Sequence, residues 1–420
     1  MAVTAHPSRL RTSSPDYLII IAVGVLVTMG VLAVYSSSFA LGLLEFGDEN
    51  YFVVRQVMFA VMGATAMWVL MKTDYRRLRW LSPLLMLAAI VGLFAVMVPG
   101  IGVERNGAAR WVALGGPIPP LQPSEFAKLA LVIYMAAWLA GRGDNVKALW
   151  LGFVPCVVLV GFVAGLIMLG PDFGTTVVIV LTTMTMVFVA GASLRHLAAF
   201  AGIASVVATM LVFSAGYRAD RIFAFTSAED DPSGRGFHTL QLLIALGSGG
   251  INGIGLGASR QKFFYVPGAH TDGIFAIIGE EMGFIGCAVV IALFALLLAR
   301  GFRVIFRARD DFGSLLAVGI VSWIGFQAMI NIGGITRALP LTGIPLPFVS
   351  YGGSALLAMM AGIGILLSVS RYGVDGKAAG GTPQPVDGTD KIVHRQKRRT
   401  AAAASASAAQ QRVAGAKGAR

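Results

Sequence analysis

Ten stretches of roughly 20 mostly apolar residues, each the length needed to cross the hydrocarbon core of a bilayer, set the folding problem for this chain. They fall at about 17–38, 53–71, 80–98, 124–140, 149–169, 174–191, 196–216, 271–299, 313–335 and 350–370. Only 13% of the 420 residues are charged, against about a quarter in a soluble domain. Lipid must therefore act as solvent for most of the surface. The expected fold is all-α: a polytopic integral membrane protein of about ten transmembrane helices. The fourth and eighth stretches carry charges, which singles them out.

The 33 Lys and Arg residues divide unevenly between the connections. With a cytoplasmic N-terminus, 23 of them fall on cytoplasmic segments and ten on the opposite loops and helix mouths. The positive-inside rule then places both N- and C-termini in the cytoplasm. The net charge of +12 reports this orientation and contact with anionic lipid; it is no nucleic-acid footprint. Cys156 and Cys287 lie in apolar stretches with neither disulfide nor metal spacing. The first apolar run is too long for a signal-peptide core and reads as a retained anchor. Three segments result: a cytoplasmic N-terminal segment 1–16, a membrane domain 17–372, and a basic tail 373–420 expected to be disordered.

Two connections are long, and both fall on the outer side. The loop 99–123 is rich in Gly and Pro, and the loop 217–270 exceeds 50 residues. Loops of this length are usually functional or disordered. The second contains an apolar stretch, 237–246, too short to span and expected to be re-entrant or interfacial. A glycine-rich run follows at 247–257. It lacks the strand-then-helix context of a dinucleotide fingerprint, so close backbone packing is its expected use. No internal repeat of the transporter kind stands out.

Ionisable residues at membrane depth are functional candidates by default. In Gln122-Pro-Ser-Glu-Phe-Ala-Lys128, Pro123 and Ser124 suit a helix start and Glu125 suits the positive end of its dipole. Glu125 and Lys128 can pair as i,i+3 neighbours, either as a structural ion pair or as substrate contacts. Asp272, at the outer lip of the eighth span beside His270, reads equally as a general base or a helix cap. His270 reads first as a hydrogen-bonded structural histidine. Glu280 and Glu281 lie deeper in that span and would not both stay ionised without partners, so a network with buried Arg or Asn is expected. Gln327 and Asn331 read as interhelical hydrogen-bond glue.

Arg105, Arg110, Arg218, Arg221 and Arg337 stand at outer loops or helix mouths, where a phosphate or pyrophosphate would use them and topology would not. Trp111 is either an interface-belt aromatic or a platform for a sugar face. A carboxylate, several cations and an aromatic in one vestibule suit an anionic lipid-linked sugar. Polymerising such a ligand and moving it remain alternatives on these grounds.

Longer motifs carry a family resemblance. Asn106-Gly-Ala-Ala-Arg-Trp111, Leu121-Gln-Pro-Ser-Glu-Phe-Ala-Lys128, Pro171-Asp-Phe-Gly-Thr175 and Ala269-His-Thr-Asp272 resemble the SEDS family (shape, elongation, division and sporulation). Ile277-Ile-Gly-Glu-Glu-Met-Gly283 and Leu346-Pro-Phe-Val-Ser-Tyr-Gly-Gly-Ser354 do so too, and the likeness extends over roughly residues 15–372. The runs 216–221 and 243–250, with Gln261-Lys262, are closer to the division branch, FtsW, than to the elongation branch, RodA.

The resemblance implies a ten-helix glycosyltransferase of the bacterial inner (cytoplasmic) membrane, active on its extracytoplasmic face. Such an enzyme polymerises lipid II into peptidoglycan strands during septal wall synthesis, with inversion to a β-1,4 linkage and release of undecaprenyl pyrophosphate. A class B penicillin-binding protein as crosslinking partner and other divisome proteins are implied with it. A divalent cation, Mg or Mn, commonly supports the activity; no organic cofactor is implied. By position the family's essential aspartate falls on Asp272, its outer-loop tryptophan on Trp111, and its cavity Glu and Lys on Glu125 and Lys128. Arg110, Lys128 and Lys262, with Arg218 and Arg221, are then the candidates for phosphate, and His270 joins the substrate-binding set. Gly170, Gly268 and Gly273 depart from the family pattern, the first two at places that often carry an acid. A lipid II flippase and a non-catalytic division scaffold are the rival functions.

Overall fold

The computed structural model describes residues 14–105, 108–113, 115, 119–214, 216–263 and 265–373. The remainder of the N-terminal segment and the basic tail from 374 onward lie outside the described residues. The chain forms a helical bundle in which α1 (Tyr17–Phe46), α2 (Tyr51–Lys72) and α3 (Arg77–Ala95) lead to a small antiparallel hairpin, β1 (Gly102–Arg105) with β2 (Ala108–Val112). Next come α4 (Pro123–Ala140), α5 (Val154–Leu169, entered through a π-helical turn from Leu149), α6 (Phe173–Val189) and α7 (Leu194–Phe213). Two short helices follow, α8 (Gly216–Thr226) and α9 (Phe237–Ser248), and then α10 (Ile274–Arg307), α11 (Asp311–Ile335) and α12 (Gly353–Arg371).

Among the described residues nine helices are long and apolar enough to cross a membrane. The tenth expected span is α6, whose 17 residues reach about 25 Å, near the lower limit for a crossing. The hairpin is the exception to an all-helical fold; the residues at its tip, 106 and 107, lie outside the described ones. The centre of the bundle is α4, α11 and α12, buried over 67%, 72% and 78% of their apolar windows, whereas α7 is buried over only 6% and faces lipid. Without a hydrophobic drive between helices in lipid, close approach does the holding. Gly364 of α12 meets the Met67 backbone of α2, and Gly319 of α11 meets Val132 and Met186.

The end of the bundle that holds most of the cations is bolted by polar contacts. Asp16 caps α1 by accepting from the Leu18 N–H and also takes the Arg300 guanidinium at 2.6 Å, joining α1 to the end of α10. Tyr75 donates to Asp310 at 3.1 Å, and Ser368 to the Thr73 carbonyl at 2.6 Å.

The eighth span is not the continuous helix that its hydropathy implies. At Gly283 the backbone leaves helical geometry (φ 64°, ψ −164°), so α10 is two helices meeting at a break. The break frees backbone groups that hydrocarbon cannot satisfy, and the 247–257 run supplies the partners. Phe284 and Ile285 donate to the Gly250 and Ile251 carbonyls at 2.8 and 3.2 Å, while Ile254 and Gly255 donate to the Glu280 and Glu281 carbonyls at 3.0 and 3.1 Å. A Cβ at Gly249 or Gly253 would collide with the carbonyls of Gly279 and Glu281. Glycines there are thus a condition of the docking, as the sequence led us to expect.

Candidate active site

Asp272 stands two residues before α10. The helix N-cap is Gly273, with no side-chain cap bond, so the capping role open to Asp272 is not the one it plays. Its Oδ1 accepts from the Thr271 hydroxyl at 3.0 Å, its one side-chain hydrogen bond among the described residues. Its backbone is held instead: Asn331 of α11 donates through Nδ2 to the Asp272 carbonyl at 2.9 Å and to the Ile344 carbonyl at 2.8 Å. A tight turn presents it, in which the Gly268 carbonyl accepts from the Thr271 and Gly273 amides.

Opposite lies the 336–352 connection. Gly343, at φ 75°, occupies backbone space open chiefly to glycine. A Cβ there would stand 3.1 Å from an Arg221 guanidinium nitrogen and 3.5 Å from Asp272 Oδ2. A cation and a carboxylate therefore face one gap. Arg221 comes from α8, which Arg337 straps to the same connection. Arg337 donates to the Phe225 carbonyl at 2.9 Å and forks onto the Glu229 carboxylate. That partner holds the Glu229 carboxyl below its usual range. Arg337 is thus a strap, not an open phosphate ligand. Arg218 donates to the Leu211 carbonyl at 2.8 Å.

Two expected substrate cations are spent elsewhere. Lys262 is buried and pairs with Glu281 at 3.0 Å, and it also donates to the Ser36 hydroxyl of α1 and the Gly257 carbonyl. Glu281 accepts in addition from Ser36 at 2.6 Å, and Glu280 takes the Arg260 amide at 2.9 Å and the Ser259 hydroxyl. The expected network at Glu280 and Glu281 exists, with Lys and Ser as partners in place of Arg or Asn. It corrects the assignment of Lys262 to a ligand phosphate, because a buried charge in hydrocarbon must be neutralised locally. Lys128 likewise pairs with Glu125 at 2.8 Å, both nearly inaccessible, and donates to Gln327 at 2.9 Å. The same Gln327 oxygen accepts from the Trp323 indole N–H, and Gln327 Nε2 donates to the Pro345 carbonyl, so the anticipated glue ties α4 to the site's connecting segment. The second Glu125 oxygen is buried without a partner among the described residues.

His270 packs its ring on Phe52 and Tyr351, with centroids 4.8 and 5.5 Å away. Burial lowers its pKa to about 4, so it is neutral at pH 7 and held by ring packing rather than by the hydrogen bond its sequence context suggests. Arg110, half-buried on β2, donates to the Gly170 and Pro171 carbonyls at 2.9 and 2.6 Å. It borders a cavity of about 280 Å³ with apolar walls from Leu93, Met97 and Leu166 and a carboxylate at Asp172. Trp111 is the strand neighbour of Arg110 and pairs with Val103. Gly174, two residues after the cavity-lining Asp172, packs on Thr342 and Ile344 on either side of Gly343.

A family model described as "Cell cycle protein" (FtsW/RodA/SpoVE) matches residues 16–374. The chain belongs to this family. Stage V sporulation protein E of Bacillus subtilis (strain 168) is 45% identical, over 86% of this chain and 98% of that one. The probable peptidoglycan glycosyltransferase FtsW of Trichlorobacter lovleyi is 40% identical, over 86% and 94% respectively. Among solved structures, a chain from work on coordinated polymerization and crosslinking by a peptidoglycan synthase complex superposes with a TM-score of 0.70 at 30% identity, covering 85% of this chain and 98% of that one. RodA of Thermus thermophilus gives 0.63 at 29%, covering 86% and 98%.

Within this FtsW/RodA/SpoVE chain, His238 lies outside every motif of the family resemblance, and Asp172 lies inside one, Pro171–Thr175, that assigned it no role. His238 lies near Asp272 and Arg221, whose charges act on its ring. Asp172 caps α6 by accepting from the Thr175 amide at 3.0 Å. No spacing in the sequence links α9 to the start of α10 across 34 residues, so only its imidazole chemistry could have flagged His238.

Proposed function

We propose that this chain is a peptidoglycan glycosyltransferase that polymerises lipid II at the Asp272 gap, on the extracytoplasmic face of the bacterial inner membrane. The observation that carries this reading is a carboxylate released from capping and from ion pairing, facing Arg221 across a glycine. Asp272 takes the proton of the acceptor sugar 4-hydroxyl while that oxygen bonds to C1 of the donor. The C1–O bond to pyrophosphate breaks with its electron pair leaving on phosphate, and Arg221 and Arg110 stabilise that charge. One displacement at an α-linked C1 yields the β-1,4 linkage, and no covalent intermediate is needed. The apolar cavity beside Arg110 takes the prenyl chain nearest the pyrophosphate. Trp111 borders that region as a sugar platform. Glu125 and Lys128 support the site from beneath as a buried pair.

Among the described residues no three His, Cys, Asp or Glu come together as a metal cage. A Mg or Mn ion bound with the pyrophosphate would find Asp272 as the carboxylate of the gap and would supply charge neutralisation there, and no step above passes through it. A class B penicillin-binding protein and other divisome proteins are the proposed partners, supported by the likeness to a peptidoglycan synthase complex. The septal role is supported by relatives named FtsW. Lipid II placed on the outer side of liposomes with purified protein and partner tests the reaction. Glycan from the wild type and none from Asp272→Asn is the expected result. Glycan from Asp272→Asn sinks the base assignment, and no glycan from either favours a flippase. Depletion in cells gives filaments for a septal role and rounded cells for elongation.

A further inference from the structure

One face of α9 lies against the entrance to α10. Leu242 packs there, within 3.3 Å of where a Cβ on Gly273 would stand. His238 lies one turn earlier, and residues four apart share a helix face. The histidine is thereby set against Asp272. Its Nε2 is buried and has no hydrogen-bond partner among the described residues. Buried polar atoms are nearly always satisfied, and an exception needs an explanation. Beside a carboxylate of the reaction, a missing bond is one that a ligand completes.

The electrostatics agree with that geometry. Burial pushes the His238 pKa below the ordinary histidine value; Asp272 opposes this and Arg221 adds to it. Burial thus favours the neutral imidazole, which donates or accepts at Nε2 without forming an ion pair that would occupy Asp272.

We propose that His238 is a substrate-binding residue of the Asp272 site, whose unpartnered Nε2 hydrogen-bonds the acceptor sugar and orients the hydroxyl that Asp272 deprotonates. This rests on the glycosyltransferase reading. Loss of the bond removes an interaction with the acceptor while the general base stays in place. A side-chain amide reaches to about the position of Nε2, so glutamine can replace the bond, whereas phenylalanine keeps only the volume.

The test compares wild type, His238→Gln and His238→Phe, full-length and with the partner protein, in polymerisation of purified lipid II across a pH series. His238→Phe should lower kcat/KM by about tenfold or more, the scale of one lost hydrogen bond in a desolvated site. His238→Gln should stay within about threefold of wild type, and it should lose the part of the acid limb that His238 protonation contributes. Wild-type rates in His238→Phe, or equal losses in both variants, overturn the assignment. Leu in place of Phe serves if Phe impairs folding in detergent. Glycan from Asp272→Asn in the same assay would signal failure of the reaction reading instead, which keeps the two outcomes separate.

Discussion

Asp272 and Glu281 lie nine residues apart on one stretch of chain, and their surroundings could hardly differ more. Glu281 sits at the break in α10 and accepts from Lys262, Ser36 and the Ser259 amide. Asp272 sits at the lip, accepts from Thr271 alone among the described side chains, and faces Arg221 across an open gap. Depth explains the contrast. A carboxylate inside the bundle must have its charge neutralised by a fixed partner, as Lys262 does for Glu281, and that commitment takes it from a ligand. A carboxylate at the lip can be left under-committed, which is what a general base requires.

The sharpest way to break this comparison is Asp272→Asn. Polymerisation should fall by about a thousandfold or more with thermal unfolding in detergent nearly unchanged, within about 0.5 kcal/mol. At the other carboxylate the expected loss is in the fold. Lys262→Met leaves Glu281 buried and unpaired, a destabilisation of about 3–5 kcal/mol, and adding Glu281→Leu should restore much of it. A Lys262→Met protein that is fully stable and defective only in KM for lipid II would return Lys262 to the ligand.

A smaller effect is expected at Gly343→Ala, where a side chain at φ 75° adds strain of about 1–2 kcal/mol and fills the space between Arg221 and Asp272. Activity should drop more than stability does, and a mutant that loses stability alone would show the gap to be unused. At neutral pH the smallest effect is expected at His270, whose contribution shows only in acid. Its folded pKa of about 4 lies below its usual 6.5, so the unfolded chain takes up the proton first. Its contribution to stability is complete above about pH 6.5 and declines as pH falls toward 4. His270→Phe, which keeps the packing on Phe52 and Tyr351, should flatten that part of the stability–pH curve. An unchanged curve would show that the ring is not held neutral.

Much of this was legible from residue order alone. The spans follow from apolar length, and the i,i+3 spacing of Glu125 and Lys128 sufficed to predict their pairing. Two features were not legible. The α10 break depends on the 247–257 run returning to satisfy the backbone near Gly283, and hydropathy is blind to that. The partners of the inner carboxylates come from α1 and from the segment before α10, so Lys262 could look like a ligand cation until Glu281 was found beside it.

Hydrophobic length and charge bias are additive along a chain, so they determined the membrane class and, with the family motifs, singled out Asp272 as the candidate base before any fold was considered. Which charges remain available for chemistry is a property of pairs. Whether Lys262, Arg337 or Arg221 meets a substrate depends on what each finds within about 4 Å, the range over which an opposite charge takes up a cation. Only the folded bundle decides those neighbours, and it left Asp272 and Arg221 facing each other with His238 beside them.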